Sequence, residues 1–138
     1  MIEREIYIPI SPDLVWEKLV HNEHIKKWWN PEVSLEPIKN GSFSEHAVEE
    51  NGKSFNVSGT VTAFEPARRL QLDYRRHEWP RAMRIEFLLS PEKPGSRLYL
   101  QHSGWDVMPD EKQRNANVDF YTKAWAELLK KFEAYCIK

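Results

Sequence analysis

Between Phe55 and Ser103, apolar and polar residues alternate in four successive segments, and this pattern constrains the fold more than any other feature of the chain. Phe55, Val57, Gly59, Val61 and Ala63 alternate with Asn56, Ser58, Thr60 and Thr62. Leu70, Leu72 and Tyr74 alternate with Gln71, Asp73 and Arg75. Met83, Ile85, Phe87 and Leu89 alternate with Arg84, Glu86 and Leu88, and Leu98, Leu100 and His102 with Tyr99, Gln101 and Ser103. Period two places successive side chains on opposite faces of a strand. One apolar and one polar face indicate antiparallel strands covered on one side only. The expectation is strands throughout Val33 to Trp105, with Asn40-Gly41 and Asn51-Gly52 as tight hairpin turns.

The flanks read differently. Ile2, Ile6, Ile8 and Ile10 share a parity, so the chain opens with a strand, and Pro9 belongs at its end or on a sheet edge. Ser11-Pro12-Asp13 is a helix start: a cap, a residue suited to the first helical position, and an acid for the dipole. The stripe of that helix is Val15, Trp16, Leu19 and Val20. Asn22 reads as a second cap, opening a short helix with Ile25, Trp28 and Trp29 that Pro31 ends. Trp28 and Trp29 are adjacent, so at most one points fully inward. From about Asp110 to Ile137 there is no Gly or Pro, and Val118, Tyr121, Trp125, Leu128, Leu129, Phe132 and Cys136 follow helical spacing. That is one long amphipathic helix.

The order is therefore a strand, two short helices, about six antiparallel strands and a long helix, an α+β architecture. The 138 residues suit one domain, 1–138, and no repeat or linker interrupts them. Twenty basic against 21 acidic residues leave a net charge of -1, without the basic excess of a protein built to grip nucleic acid. Cys136 stands alone, which excludes an intrachain disulfide and a cysteine zinc cage. It reads as buried and inert. Residues 1–10 form neither a secretory signal nor a membrane span. The reading is a soluble, cytoplasmic protein.

A single helix across a curled sheet covers only part of the apolar face. Six tryptophans supply wide, stiff side chains for the remainder. Trp28, Trp29, Trp105, Tyr121 and Trp125 sit on elements that converge at the uncovered end, and an apolar ligand pocket is expected there. The candidate lining is Trp28, Trp29, Phe43, Tyr74, Phe87, His102, Trp105, Tyr121 and Trp125. His102, Tyr74 and Tyr121 would orient a guest by hydrogen bonds. Were the protein an enzyme, its acid or base would come from Glu17, Glu45 or His102, with Glu45 on the parity of Phe43 and Ala47. His21 and His24 resemble half a metal site, with no further ligand to complete it. Arg68-Arg69, Arg75-Arg76-His77, Arg81 and Arg84 read as a solvated basic hairpin balanced by Asp73, Glu78 and Glu86. No phosphate loop, dinucleotide fingerprint or nucleophile elbow occurs.

Several of these segments, in order, resemble the Hsp90-ATPase-activator-homologue-like family. They are the Ser-Pro-Asp-Leu-Val-Trp helix start, Lys26-Lys27-Trp28-Trp29 with Pro31, and Asn40-Gly41-Ser42-Phe43. Further along come Gly59 through Pro66, His102-Ser103-Gly104-Trp105, and Trp125-Ala126-Glu127-Leu128-Leu129. Asn40-Gly41 stands where many relatives carry two glycines. The resemblance covers nearly the whole chain. It implies the START-like helix-grip fold, a curved antiparallel sheet wrapped around the C-terminal helix. It also implies non-catalytic binding of a small hydrophobic molecule, aromatic, polyketide-like or lipid-like, with no cofactor and no metal. The alternatives it implies are a co-chaperone or other protein-interaction module with a chaperone as partner, and a cyclase or hydrolase. The eukaryotic activator carries a separate N-terminal domain that these 138 residues do not supply.

Overall fold

The alternating segments become neighbouring strands of one curved sheet. The structure, a computed structural model, describes residues 1–49 and 51–138. Its strands are β1 (Ile2–Ile8), β2 (Val33–Leu35), β3 (Ser42–Val48), β4 (Ser54–Glu65), β5 (Arg69–Arg76), β6 (Met83–Glu92) and β7 (Gly95–Ser103). All pairings are antiparallel, in the order β1-β7-β6-β5-β4-β3-β2. β1 is an edge strand and Pro9 follows its last residue, where a missing N–H costs no ladder bond. The register lines up inward residues across the sheet: Leu70 faces Phe87, which faces Leu100, and Leu72 faces Ile85, which faces His102.

Two features bend β4. The register with β5 shifts between Val61 and Ala63, a bulge that increases local twist. Two residues earlier the backbone of β5 comes so close that a Cβ on Gly59 would lie 1.9 Å from the Asp73 carbonyl oxygen. Only glycine fits there.

The helices are α1 (Pro12–Val20), α2 (Asn22–Trp28) and α3 (Glu111–Cys136). Ser11 caps α1 by accepting from the Leu14 N–H, and Asp110 caps α3 by accepting from Lys112. The stripe Val15, Trp16, Leu19 and Val20 is buried, as are Tyr121, Trp125, Leu129, Phe132 and Cys136 along α3. Val118 and Leu128 are only partly buried. The long helix lies across the inner face of the sheet, with the two short helices beside it, and the fold is the α+β helix-grip. Among the described residues no helix is long and apolar enough to cross a membrane.

Three local expectations are corrected. The cap of α2 is His21, with no side-chain hydrogen bond. Asn22 instead reaches sideways: its Nδ2 donates to the Leu35 carbonyl at 3.0 Å and its Oδ1 accepts from the Leu35 N–H at 2.8 Å. An amide carries both a donor and an acceptor, so it can replace a missing ladder rung on an edge strand, which a capping geometry would forgo. Asn40-Gly41 is not a two-residue hairpin. Residues 36–41 link β2 to β3, Asn40 takes a left-handed conformation (φ 69°), and the segment pairs with Val61 of β4 through two backbone bonds of 2.8 Å. Between β3 and β4, Gly52 supplies the positive φ (86°), but residues 49–53 make a longer connection than a tight turn.

Candidate functional site

The site begins with the parity of three strands. On β3, residues 43, 45 and 47 face inward, on β4 residues 55 and 57, and on β5 residues 70, 72, 74 and 76. Opposite them α3 presents Phe120, Tyr121, Ala124, Trp125 and Leu128. A half-open cavity of about 180 Å³ lies here, with two small residues in its lining, Ala47 on β3 and Ala124 on α3; it is lined also by Trp29, Asn30, Glu45, Phe55 and Tyr74, with Glu127 and Lys131 from α3.

Four of the nine candidate residues line this cavity: Trp29, Tyr74, Tyr121 and Trp125. Trp29 stands one residue beyond α2, at its C-cap, and reaches the sheet while its ring stays packed on that of Trp28, 5.4 Å away. It packs on Phe43 and Trp125, with ring centroids 5.4 and 5.5 Å away. Both indoles are therefore buried, where at most one was expected to be, because the break at the end of α2 frees Trp29 from helical spacing. Trp28 lies among the helices, 4.6 Å from Phe132, with its N–H donated to the Lys18 carbonyl. Phe43 and Phe87 form a layer behind the lining, each in contact with Trp29. His102 and Trp105 stack 4.5 Å apart beyond Tyr121, where Gly104 (φ 98°) turns β7 into a 3-10 turn at Trp105–Val107.

His102 is fully buried. Its Nδ1 accepts from the Trp125 indole N–H at 3.0 Å. An indole can only donate, so Nδ1 is unprotonated and Nε2 carries the hydrogen of the neutral ring. Burial, with a smaller contribution from the N-terminal charge, pushes its pKa down to about 3. At neutral pH this imidazole is therefore neutral, and the tryptophan fixes its orientation. Among the described residues its Nε2 has no hydrogen-bond partner, nor do Trp79 Nε1 and one terminal nitrogen of Arg76.

Arg76 was expected on a solvated hairpin and is instead buried. It shares the parity of Leu70, Leu72 and Tyr74, which outweighs its charge because the surroundings satisfy it. Its guanidinium lies 3.7 Å over the Phe55 ring, pairs with Glu49 and, at 3.7 Å, with Glu78, and donates from Nε to the Tyr121 hydroxyl at 2.9 Å. Burial alone would lower its pKa; Tyr121 and Glu49 more than offset this, and the group stays charged. Trp79 is a second residue the sequence reading missed. It is buried against Tyr74, Tyr121 and Trp105 although its segment, between β5 and β6, shows no periodicity.

A chain of hydrogen bonds runs from Arg76 to the cavity. Arg76 donates to Tyr121; the Tyr121 and Tyr74 hydroxyls are 3.1 Å apart; Tyr74 donates to Glu45 Oε1 at 2.9 Å. Because Tyr74 spends its proton on Glu45, Tyr121 must be the donor between the two phenols. Burial raises the Glu45 pKa above the ordinary carboxylate range, and the Tyr74 bond, with weaker polar contacts from Trp29 and Asn30, works against that rise. Tyr121 is pushed up to about 12 and Tyr74 well above its usual value, both chiefly by burial, so both hydroxyls keep their protons.

The other candidates fall away. Glu17 is exposed on α1 and has no part in the cavity. His24 accepts or donates a 2.6 Å bond with the Tyr135 hydroxyl, and no cluster of three metal-binding side chains occurs among the described residues. Burial lifts the Cys136 thiol to about 12, so it stays protonated.

The comparisons with known proteins fit this architecture. Among curated proteins none matches the chain. Similar solved structures include protein MLL2253 from Mesorhizobium loti (22% identity, TM-score 0.77, 97% of this chain and 94% of that one). The Aha1 dimer from Colwellia psychrerythraea is 19% identical with a TM-score of 0.71, over 96% and 92% of the two chains. The AHSA1 protein from Silicibacter pomeroyi is 19% identical with a TM-score of 0.73, over 96% and 94%. These likenesses concern the fold. The model of the family described as activator of Hsp90 ATPase homolog 1-like protein matches residues 9–136, nearly the entire length. The chain therefore belongs to the activator of Hsp90 ATPase homolog 1-like family.

Proposed function

We propose that this protein binds a small, largely apolar molecule of one or two rings between β3, β5 and α3, without catalysis. The observation that carries this reading is the space of about 180 Å³ lined by the small Ala47 and Ala124 and walled by Trp29, Tyr74 and Trp125. A dry cavity of about 150 Å³ holds benzene. Pockets for drug-sized ligands run to roughly 300–1,000 Å³. The enclosed part therefore fits a single aromatic ring or a compact bicycle, and the lipid-like or polyketide-like guest expected from the resemblance would have to extend through the open side. Burying on the order of 150 Å² of apolar area gains roughly 4 kcal/mol. That alone corresponds to dissociation constants near ~1 mM, so any tighter binding has to come from polar groups.

Titration with one-ring aromatics into the millimolar range is expected to quench tryptophan fluorescence saturably, because Trp29 and Trp125 form the walls. Ala47→Leu fills the space from the sheet side and is expected to abolish the saturable change while the protein remains folded. Saturation unaffected by Ala47→Leu would place the guest elsewhere.

A second reading follows from the family's own description. A protein-interaction role toward an Hsp90-type chaperone is supported by membership alone. It would be tested by pull-down with the cognate chaperone and by its ATPase rate, with no stimulation counting against it.

A further inference from the structure

We infer that the cavity selects guests bearing a positively charged hydrogen-bond donor, a protonated amine on a small aromatic ring, through the carboxylate of Glu45. The inference rests on the small-molecule reading above and names the chemical class for that same site.

Glu45 is a buried acid in the cavity wall whose partners are all uncharged. Tyr74 donates to Oε1, and Trp29 and Asn30 make weaker polar contacts with the carboxylate. Glu45 forms no ion pair among the described residues, and the nearest buried cation, Arg76, lies two phenol hydroxyls away along the relay. Arg76 is already engaged by Glu49 and Glu78. One buried guanidinium is thus shared by two partly exposed carboxylates, Glu49 and Glu78, and Glu45 is the buried carboxylate left without a cation beside it. Lys131, the cation in the cavity lining, forms no ion pair with Glu45 among the described residues; it sits on α3 four residues from Glu127, its neighbour of opposite charge on the same helical face. A second positive charge placed at Glu45 would complete the pairing of a desolvated acid.

The relay also fixes polarity. Every proton in it points from Arg76 toward Glu45, so Glu45 is held as an acceptor. A guest that offers only acceptors, such as a carboxylate, meets repulsion there; a guest with an ammonium meets a preoriented oxygen backed by two locked phenols. The opposite assignment, a protonated Glu45 donating to a guest carbonyl or carboxylate, predicts the reverse order of affinities.

The test uses three guests of nearly equal size: benzylamine, benzyl alcohol and benzoate. Their dissociation constants are measured at neutral pH by tryptophan fluorescence and calorimetry on the full chain. Benzylamine is expected to bind about tenfold more tightly than benzyl alcohol, and benzoate more weakly than both. In Glu45→Gln, which keeps the size and an acceptor oxygen, the benzylamine advantage is expected to fall to within about twofold while benzyl alcohol still binds. Equal affinities, a preference for benzoate, or an amine preference that survives Glu45→Gln would overturn the inference while leaving the pocket intact. No saturable binding by any of the three would overturn the pocket reading and this one with it. The order of affinities is read on the unmodified protein, so the result does not depend on how well the variant folds.

Discussion

At the scale of single residues, charge proved a poorer guide to position than strand parity. Parity alone puts His102 and Glu45 inside. The same rule, applied one step further along β5 than Tyr74, puts Arg76 inside as well; its place in a run of basic residues obscured this. The partners that make its burial tolerable, Phe55, Glu49 and Tyr121, are distant in sequence, so nothing local announces them. The buried histidine yields a pH prediction. Its pKa is about 3 in the folded protein and about 6.5 when unfolded, so between these values the unfolded chain binds the extra proton. Above pH 6.5 both states are neutral and His102 has no effect; as pH falls toward 3 it removes stability, by on the order of 4 kcal/mol in all. Glu45 acts in the opposite sense. Its folded pKa is raised, so just above the ordinary carboxylate range the folded state takes up the proton and gains a little on acidification. His102→Gln, whose amide oxygen can still accept from Trp125, is expected to flatten the loss of stability between pH 6.5 and about pH 4 in urea titrations. An acid limb as steep as that of the parent would show that another group sets it.

Elements were legible where their signals are local. Ser11-Pro12-Asp13 starts α1, and a Gly- and Pro-free amphipathic stretch becomes α3, because capping and periodicity act within one or two turns. The alternating segments became strands for the same reason. Element ends that depend on tertiary partners were not legible. Asn22 carries the right side chain for a cap, yet spends both its donor and its acceptor on Leu35, thirteen residues away. β2 is only three residues long and forms the far edge of the sheet, so the Asn22 amide supplies what a further strand would. Asn22→Ala leaves a partly buried N–H and C=O of Leu35 unpaired, at a cost of about 1–3 kcal/mol. The expected result is lower stability by that amount, with faster hydrogen exchange at the Leu35 amide. Asn22→Asp keeps the acceptor but not the donor and should fall between the two. An Asn22→Ala protein with unchanged Leu35 exchange would mean that α2 itself holds β2 in place.

On the scale of the whole molecule, the site exists because a straight helix meets a bent sheet. The bulge in β4 and the close approach at Gly59 curl the sheet beneath α3. Bulky side chains fill much of what the helix leaves uncovered, and the cavity lies where Ala47 and Ala124 contribute small side chains to its lining. Periodicity could predict which faces turn inward, but not how completely the rings interlock, since that depends on rotamers and on the sum of many side-chain volumes. Cavity and fold stability are therefore coupled: a guest that binds only the folded chain must raise its melting temperature. At a hundred times its dissociation constant the gain is about 2.7 kcal/mol. For a chain of this length that is a shift on the order of 10 °C. The rise should grow with the logarithm of guest concentration above the dissociation constant, and should vanish in Ala47→Leu, whose own melting temperature should match or exceed that of the parent because the void is filled. A guest that raises the melting temperature of both proteins equally is bound outside this cavity, and the space beneath α3 would then be a packing defect of the curled sheet and not a binding site.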